Sequence, residues 1–262
     1  MSNDVERGTP VPGHGLLSGR TVLVTGAAGT GIGIATARRC VQEGARVAIS
    51  GRNESRLETA AEGMEAELGQ RPLTVRCDVT EESEVRALLS TVDDHFGGLD
   101  ILVNNAGVGG VSPVAQMSDE QWDDVFDSSL KGTFRCTRAA LSHMLPRESG
   151  SIVNVSSVVG WKASPGMAHY AAAKAGVMAF TRSVALETAT SGIRVNAVAP
   201  TLAAHEDMES KLPAGMMQKL GEQQVLGRAA EPEEVANVIV FLASDYSSYM
   251  TGEVISVSGQ HA

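Results

Sequence analysis

The stretch Thr21–Gly33, TVLVTGAAGTGIG, decides the fold. Its first five residues, Thr21–Thr25, are apolar or β-branched and are typical of a buried strand. The next eight residues include four glycines, and a helical pattern begins at Ile32. Glycines let backbone N–H groups approach a pyrophosphate, and a helix N-terminus favours an anion. The stretch therefore predicts a strand, a dinucleotide-binding turn and a helix; a plain tight turn is the alternative.

Strand-like and helix-like segments alternate along the rest of the chain. The further predicted strands are Arg46–Ser50, Leu73–Cys77, Asp100–Val103, Ser151–Val155, Ile193–Val198 and Glu253–Val257. The predicted helices are Ile32–Glu43, Glu54–Leu68, Glu82–Phe96, Asp119–Leu145, Ala168–Ala189 and Pro232–Ala243. Strands that are apolar on both faces and separated by helices indicate a parallel sheet covered on both sides. We therefore predict an α/β fold: a single Rossmann-like, doubly wound parallel sheet of about seven strands, with helices on both faces.

The 262 residues suit one large α/β domain, and the chain has no internal repeat or composition break. Residues 1–18 are polar and rich in Gly and Pro, so we predict a flexible N-terminal tail followed by a single domain over residues 19–262. The tail lacks the apolar core of a signal peptide, and no run is long enough to span a membrane. These features predict a cytoplasmic protein without a membrane partner.

The formal net charge is −10, with 31 acidic and 21 basic residues. An acidic surface repels nucleic acids and anionic lipids, so the partner we expect is a small-molecule substrate. The three cysteines, Cys40, Cys77 and Cys136, show no C-x-x-C spacing and are interpreted as reduced thiols. No Cys/His cluster has the spacing of metal ligands, so no metal site is predicted.

Two further motifs follow the glycine-rich turn. Asn104–Gly107 reads N-N-A-G after the fourth strand, and Tyr170–Lys174 reads Y-x3-K. This order resembles the signature of the short-chain dehydrogenase/reductase family, from about Leu17 to Ser258. One departure is that four residues, not three, separate Gly26 from Gly31. The resemblance implies an NAD(P)-dependent oxidoreductase that transfers a hydride between nicotinamide and a carbonyl or secondary alcohol carbon.

The candidate catalytic residues are Ser157, Tyr170 and Lys174. Tyr170 and Lys174 lie one helical turn apart and therefore point the same way. A free tyrosine titrates near 10, so a neighbouring ammonium is expected to favour the phenolate. The resemblance implies that Ser157 hydrogen-bonds the substrate oxygen, that Tyr170 exchanges its proton, and that Lys174 holds the nicotinamide ribose. By composition alone, Ser156 is an equally suitable hydroxyl.

Cofactor choice depends on the end of the second strand, which reads Ser50-Gly51-Arg52. Relatives that prefer NAD usually carry Asp at Gly51, and a guanidinium suits a phosphate. NADP(H) is therefore favoured over NAD(H); the alternative is that Arg52 covers the adenine or pairs with Glu54. The resemblance implies a cofactor site at Gly26, Gly31, Ile32, Gly33, Arg52, Asp78, Val79, Asn105, Gly107, Tyr170 and Lys174.

Three further positions differ from the family pattern or are ambiguous. Ser129 stands where relatives carry an Asn that organises a proton-relay water. His205 stands where they carry a Thr near the carboxamide, and is either a substrate contact or a solvated loop residue. His169, next to Tyr170, either faces the pocket or packs.

The segment Thr201–Gly227 breaks the alternation and contains several Met and Leu residues, including Met208, Met216 and Met217. Flexible Met side chains suit an irregular apolar surface, so we predict a lid over a lipophilic substrate that is steroid-derived, polycyclic or an acyl-thioester. Simple packing on the domain is the alternative. The competing functions are a 3-oxoacyl-carrier-protein reductase and a non-catalytic nucleotide-binding sensor. By resemblance, a homotetramer or homodimer is expected.

Overall fold

The computed structural model describes residues 12–162, 164–210, 212–213 and 215–258. Seven strands form one sheet in the order β3-β2-β1-β4-β5-β6-β7, and every pairing within it is parallel. The strands are β1 Thr21–Val24, β2 Arg46–Gly51, β3 Leu73–Arg76, β4 Ile101–Asn104, β5 Gly150–Val155, β6 Ile193–Pro200 and β7 Val254–Val257. The predicted doubly wound parallel α/β sheet is confirmed, with strand ends shifted by one or two residues.

Helices connect the strands. They are α1 Ile32–Gln42, α2 Glu54–Leu68, α3 Glu82–Phe96, α4 Asp119–Val125, α5 Gly132–Met144, α6 Ala168–Thr188, α7 Glu206–Glu209, α8 Met216–Glu222 and α9 Pro232–Ala243. The predicted helix Asp119–Leu145 is interrupted, because Phe126–Lys131 adopts π-helical hydrogen bonding between α4 and α5. This wider turn holds Ser129, which is buried.

Alternation along the strands gives the sheet two apolar faces, as the period of two requires. Val22 and Val24 of β1 belong to a core that includes residues of α1, α2 and α9. Leu23 belongs to the opposite core, which includes residues of α3, α5 and α6. Both faces are therefore dry, which explains the continuous apolar runs in the strand sequences.

Part of the predicted tail packs on the domain. The Glu43 carboxylate, at the end of α1, accepts hydrogen bonds from the backbone N–H of His14 at 2.8 Å and of Leu16 at 3.0 Å. Leu17 is buried in the core with 1% exposure. The chain is thus held from about His14 onward, and the tail prediction for residues 1–11 lies outside the described residues.

The three cysteines are buried free thiols. Burial raises the pKa of Cys40 and of Cys77 to about 12, so these side chains stay protonated at neutral pH. Among the described residues, no helix is both long enough and apolar enough to cross a membrane.

Candidate active site

A cleft of about 960 Å3 opens at the carboxyl ends of the strands. Its walls include residues that lie within two positions of the ends of β1, β4 and β5, such as Gly26, Asn105 and Ser157. In open α/β sheets, ligands bind at this edge, beside the point where the strand order reverses. All the candidate catalytic and cofactor residues line this cleft: Gly26, Gly31, Ile32, Gly33, Arg52, Asp78, Val79, Asn105, Gly107, Ser157, Tyr170 and Lys174.

The glycine-rich turn forms a close cradle. Gly26 has φ +66°, and a Cβ there would lie 2.7 Å from the Cα of Ala106. A Cβ on Gly33 would lie 2.5 Å from Nδ2 of Asn105. That amide donates to the backbone oxygens of Thr25 and Gly26, both at 3.0 Å, so Asn105 braces the turn. The turn leads into the N-terminus of α1, and the backbone of the turn faces the cleft. This arrangement suits the pyrophosphate of a dinucleotide.

The end of β2 lies beside this turn. A Cβ on Gly51 would lie 2.9 Å from Cβ of Ala28. The Arg52 side chain is 67% exposed and lies 3.9 Å from Oδ2 of Asp78. Its ion-pair partner within the described chain is Asp78, not Glu54, so the alternative pairing is wrong. A long, exposed ion pair contributes little energy, which leaves the guanidinium available to a ligand.

Burial raises the pKa of Tyr170, and the neighbouring Ser157 side chain opposes that rise. The Ser157 hydroxyl accepts from the backbone N–H of Val159 at 3.3 Å. Ser156 is used differently, because its hydroxyl donates to the backbone oxygen of Lys174 at 2.8 Å.

Lys174 is buried, with 4% exposure. Its Nζ donates to the backbone oxygen of Val155 at 2.8 Å and lies 5.6 Å from the centre of the Tyr170 ring. Desolvation lowers the pKa of Lys174 to about 8. The sequence led us to expect an ammonium that favours the Tyr170 phenolate, but in the protein alone desolvation of the phenol outweighs such an effect.

Glycines also bring the loop after β4 close to the reactive side chains. A Cβ on Gly107 would lie 2.8 Å from Oγ of Ser129 and 3.6 Å from Nζ of Lys174. A Cβ on Gly109 would lie 3.3 Å from the Tyr170 ring. Ser129 donates to the backbone oxygen of Val108 at 3.1 Å, so its hydroxyl fixes this loop.

His169 is not among the residues that line the cleft. It is 2% exposed, and its Nδ1 has no hydrogen-bond partner in the described chain. Its Nε2 lies 3.4 Å from the position of a Cβ on Gly110. Of the two alternatives left open by the sequence, packing fits this position.

The predicted lid segment leaves β6 and returns beside its own start. Ala230 donates to the backbone oxygen of Leu202 at 2.9 Å, and Ala204 donates to that of Ala230 at 2.9 Å. Its apolar contribution to the cleft comes from Leu202, Met208 and Leu212. Met216 is 37% exposed, and neither it nor Met217 is among the cleft-lining residues. The expectation that these two methionines face the substrate is therefore wrong.

The lid also touches the glycine-rich turn. Nδ1 of His205 lies 3.4 Å from Oγ1 of Thr30, and Oδ2 of Asp207 lies 2.5 Å from Nη2 of Arg56. Neither Asp207 nor Arg56 was predicted from the sequence. The available sequence signal was that a second arginine, Arg56, follows Arg52 by four residues at the start of the predicted helix Glu54–Leu68. No group of three or more potential metal-binding side chains occurs in the part of the chain that the structure describes.

The family model described as enoyl-(acyl carrier protein) reductase matches residues 26–259. The chain is 55% identical, over 96% of both chains, to the Mycobacterium tuberculosis (strain ATCC 25618 / H37Rv) protein named (5R,7aS)-5-hydroxy-7a-methyl-1-oxo-2,3,5,6,7,7a-hexahydro-1H-indene-carboxyl-CoA reductase.

Two solved structures are also similar. A short chain dehydrogenase from Mycobacterium smegmatis is 50% identical with a TM-score of 0.86, over 98% of this chain and 99% of that one. A single-residue variant of actinorhodin polyketide ketoreductase with NADPH is 34% identical with a TM-score of 0.86, over 92% and 96%. This chain belongs to the short-chain dehydrogenase/reductase family, oxidoreductases that use a nicotinamide cofactor on carbonyl and hydroxyl groups.

Proposed function

We propose that this enzyme is an NADP(H)-dependent reductase of a ketone on a lipophilic, fused-ring acid carried as a CoA thioester. The observation that carries the proposal is a single cleft that joins Ser157, Tyr170 and Lys174 to the glycine-rich turn. The M. tuberculosis relative, whose name specifies a bicyclic indene carboxyl-CoA, supports the substrate class. The same reaction runs in reverse as oxidation of the secondary alcohol.

Each of the three side chains has one role. Bound NADPH supplies the hydride to the carbonyl carbon. The Tyr170 hydroxyl gives its proton to the carbonyl oxygen, and the Ser157 hydroxyl, which lines the same cleft, donates to the same oxygen. Lys174 is cationic below about pH 8, so its charge stabilises the phenolate that the proton transfer leaves on Tyr170.

The lining of the cleft supports a lipophilic substrate. Apolar side chains form the wall on the Tyr170 side and on the lid: Val108, Val111, Val158, Val159, Met167, Leu202, Met208 and Leu212. Burial of apolar area contributes about 25 cal/mol per Å2, so a fused ring gains more from this wall than a short chain does. The segment Thr201–Gly227 therefore acts as a substrate lid that excludes water.

The end of β2 supports NADP(H) over NAD(H). Gly51 offers no carboxylate to the adenosine ribose, and the guanidinium of Arg52 lines the cleft next to it. The solved polyketide ketoreductase contains NADPH, which agrees with this preference. A homotetramer or homodimer stays a prediction from family membership, and a cytoplasmic location stays a prediction from the sequence.

A second candidate is a 3-oxoacyl-carrier-protein reductase. The description of the matching family model names a reductase of acyl carrier proteins, which favours it. The net charge of −10 works against it, because an acidic surface repels an acidic carrier protein. The two candidates differ in the carrier as well as in the shape of the acyl group, so both features can be tested.

The test is steady-state turnover with NADPH on a matched panel. It compares a bicyclic keto-acid CoA thioester, the same keto acid without CoA, acetoacetyl-CoA and acetoacetyl-carrier protein, with the Tyr170→Phe variant as background. We expect kcat/KM to be highest for the bicyclic CoA thioester, with Tyr170→Phe at least about a hundredfold lower. A preference for acetoacetyl-carrier protein would support the second candidate. Full activity of Tyr170→Phe would remove the assigned proton donor.

A further inference from the structure

The carboxylate of Asp207, on the lid helix α7, lies against the glycine-rich turn. Its Oδ2 accepts a hydrogen bond from the backbone N–H of Thr30 at 3.1 Å and from Nη2 of Arg56 at 2.5 Å. The same oxygen lies 2.8 Å from the position of a Cβ on Gly29. A lid residue thus places a negative charge where a backbone amide and a guanidinium converge.

This position is the corner of the cleft at the end of β2. Ala28 of the turn lies beside Gly51, and Arg52 and Asp207 both line the cleft here. Arg56 lies in the first turn of α2, four residues after Arg52, and its Nη2 is 3.5 Å from the position of a Cβ on Gly29. Two guanidinium groups and one N–H donor therefore surround the corner at which Gly51 replaces an acidic side chain.

We propose that Arg56 and the Thr30 amide bind the 2′-phosphate of NADP(H), and that the Asp207 carboxylate occupies this anion site when no phosphate is present. The inference deepens the proposed function and rests on its preference for NADP(H). It adds Arg56 as a specificity-determining residue beside Arg52. It also makes the lid a competitor of the cofactor phosphate.

The contact of Asp207 with Arg56 has the properties of an exchangeable pair. The Asp207 and Arg56 side chains are 34% and 49% exposed, and exposed ion pairs contribute little to stability. A phosphate carries close to two negative charges at neutral pH and binds a guanidinium through two parallel hydrogen bonds. The phosphate therefore displaces a single carboxylate oxygen at this site.

Displacement of Asp207 changes what holds the lid. The Asp207 backbone N–H donates to Oγ1 of Thr30 at 3.0 Å, and the next residue along α7, Met208, lines the cleft. Loss of the carboxylate contact weakens the attachment of α7 to the turn and leaves in place the contacts of the Asp207 backbone N–H and of His205 with the Thr30 hydroxyl. Binding of the 2′-phosphate is thus coupled to the position of an apolar side chain on the substrate side of the cleft.

The experiment is calorimetric titration of the cofactor-free enzyme with NADPH, NADH, adenosine 2′,5′-bisphosphate and 5′-AMP. The variants are Arg56→Ala, Asp207→Asn, the double variant, and Arg86→Ala as a control for loss of an exposed arginine on α3. We expect Arg56→Ala to weaken the binding of NADPH and of the bisphosphate at least tenfold. The affinities for NADH and 5′-AMP should change less than twofold. We expect Asp207→Asn to strengthen the binding of NADPH and of the bisphosphate about three- to tenfold. This gain in affinity should disappear in the double variant.

Several results would overturn the inference. If the wild type prefers NADPH but Arg56→Ala keeps that preference, the inference alone fails. If the wild type prefers NADH, the proposed cofactor preference fails and the inference fails with it. If Asp207→Asn weakens the binding of NADPH, the Asp207 carboxylate stabilises the cofactor complex and does not compete with the 2′-phosphate. Thermal unfolding of every variant checks that the fold is intact.

Discussion

Lys174 donates from Nζ to the backbone oxygen of Val155, 2.8 Å away, at the carboxyl end of β5. The lysine is 4% exposed, and desolvation lowers its pKa from 10.5 to about 8. A buried ammonium with a depressed pKa destabilises the folded state, because the unfolded chain holds the same proton more tightly. The placement of this charge therefore favours function at the expense of stability.

Replacing Lys174 with Met is expected to stabilise the cofactor-free enzyme at pH 7. The folded-state pKa lies below the unfolded value, so the penalty is present below about pH 8 and disappears as the pH rises towards 10.5. The lowered pKa of Lys174 corresponds to a difference in the free energy of unfolding between the two proteins on the order of 3 kcal/mol at pH 7. Urea unfolding of the wild type and of Lys174→Met at pH 7 and pH 10 should show that the gap between their free energies of unfolding narrows by about 2 kcal/mol. A gap that does not change with pH would mean that Lys174 is not a buried cation.

Removing the Ser157 hydroxyl is expected to move the pH profile of alcohol oxidation. The Ser157 side chain opposes the burial that raises the pKa of Tyr170, so Ser157→Ala should raise that pKa further. Oxidation needs the ionised phenol, so the rise of kcat/KM with pH should shift to higher pH. At a fixed pH below the rise, the loss should be about tenfold.

Ser156→Ala is the matched control for this shift. Its hydroxyl donates to the Lys174 backbone oxygen, so its loss should lower the melting temperature and leave the position of the pH rise unchanged. Equal shifts in both variants would argue against a specific link between Ser157 and Tyr170.

Arg52→Ala is expected to narrow the preference for NADPH. The side chain is 67% exposed, and its ion pair with Asp78 is 3.9 Å long, so little of the effect should come from altered folding. Loss of a charge-assisted contact with the phosphate should lower the affinity for NADPH about ten- to a hundredfold and leave the affinity for NADH nearly unchanged. Fluorescence titration with both cofactors measures the ratio. Equal weakening of NADH and NADPH would assign Arg52 to the adenine face.

The sheet was predictable from the sequence because the central strands β1 and β4 are buried on both faces and carry continuous apolar runs. The ends were less predictable, as at Pro200, which pairs with Val257 although the predicted strand stops at Val198. The two asparagines of the N-N-A-G motif also look alike in sequence. In the fold, Asn104 is buried and donates to Asn154 and Thr137, whereas Asn105 braces the glycine-rich turn.

The sequence predicted those residues of the candidate site that lie close to the carboxyl end of a strand. Asn105 and Ser157 lie within two residues of the carboxyl ends of β4 and β5, so their position at one edge follows from the parallel sheet. The contact of Thr30 with Asp207 joins residues 177 positions apart, through a segment with no periodic pattern. Local sequence signals carry no information on such a pair, and the same is true of which methionine of the lid faces the cleft.

The lid provides the last prediction. Met208 lines the cleft, whereas Met216 is 37% exposed and lies outside it, so the two positions form a matched pair on one segment. Met208→Ser should lower kcat/KM for the bicyclic ketone about tenfold or more, because burial of a Met-sized apolar side chain is worth about 1.5–3 kcal/mol. Kinetics with a short ketone should change little, since a short substrate does not reach the lid.

Met216→Ser should leave both substrates unaffected, because its side chain does not face the cleft. Both variants should melt close to wild type, since neither methionine belongs to the two cores of the sheet. A large drop in the melting temperature of Met208→Ser with unchanged selectivity would assign this residue to packing. Equal losses for short and bulky ketones would show that the segment acts on the cofactor and not on the size of the substrate.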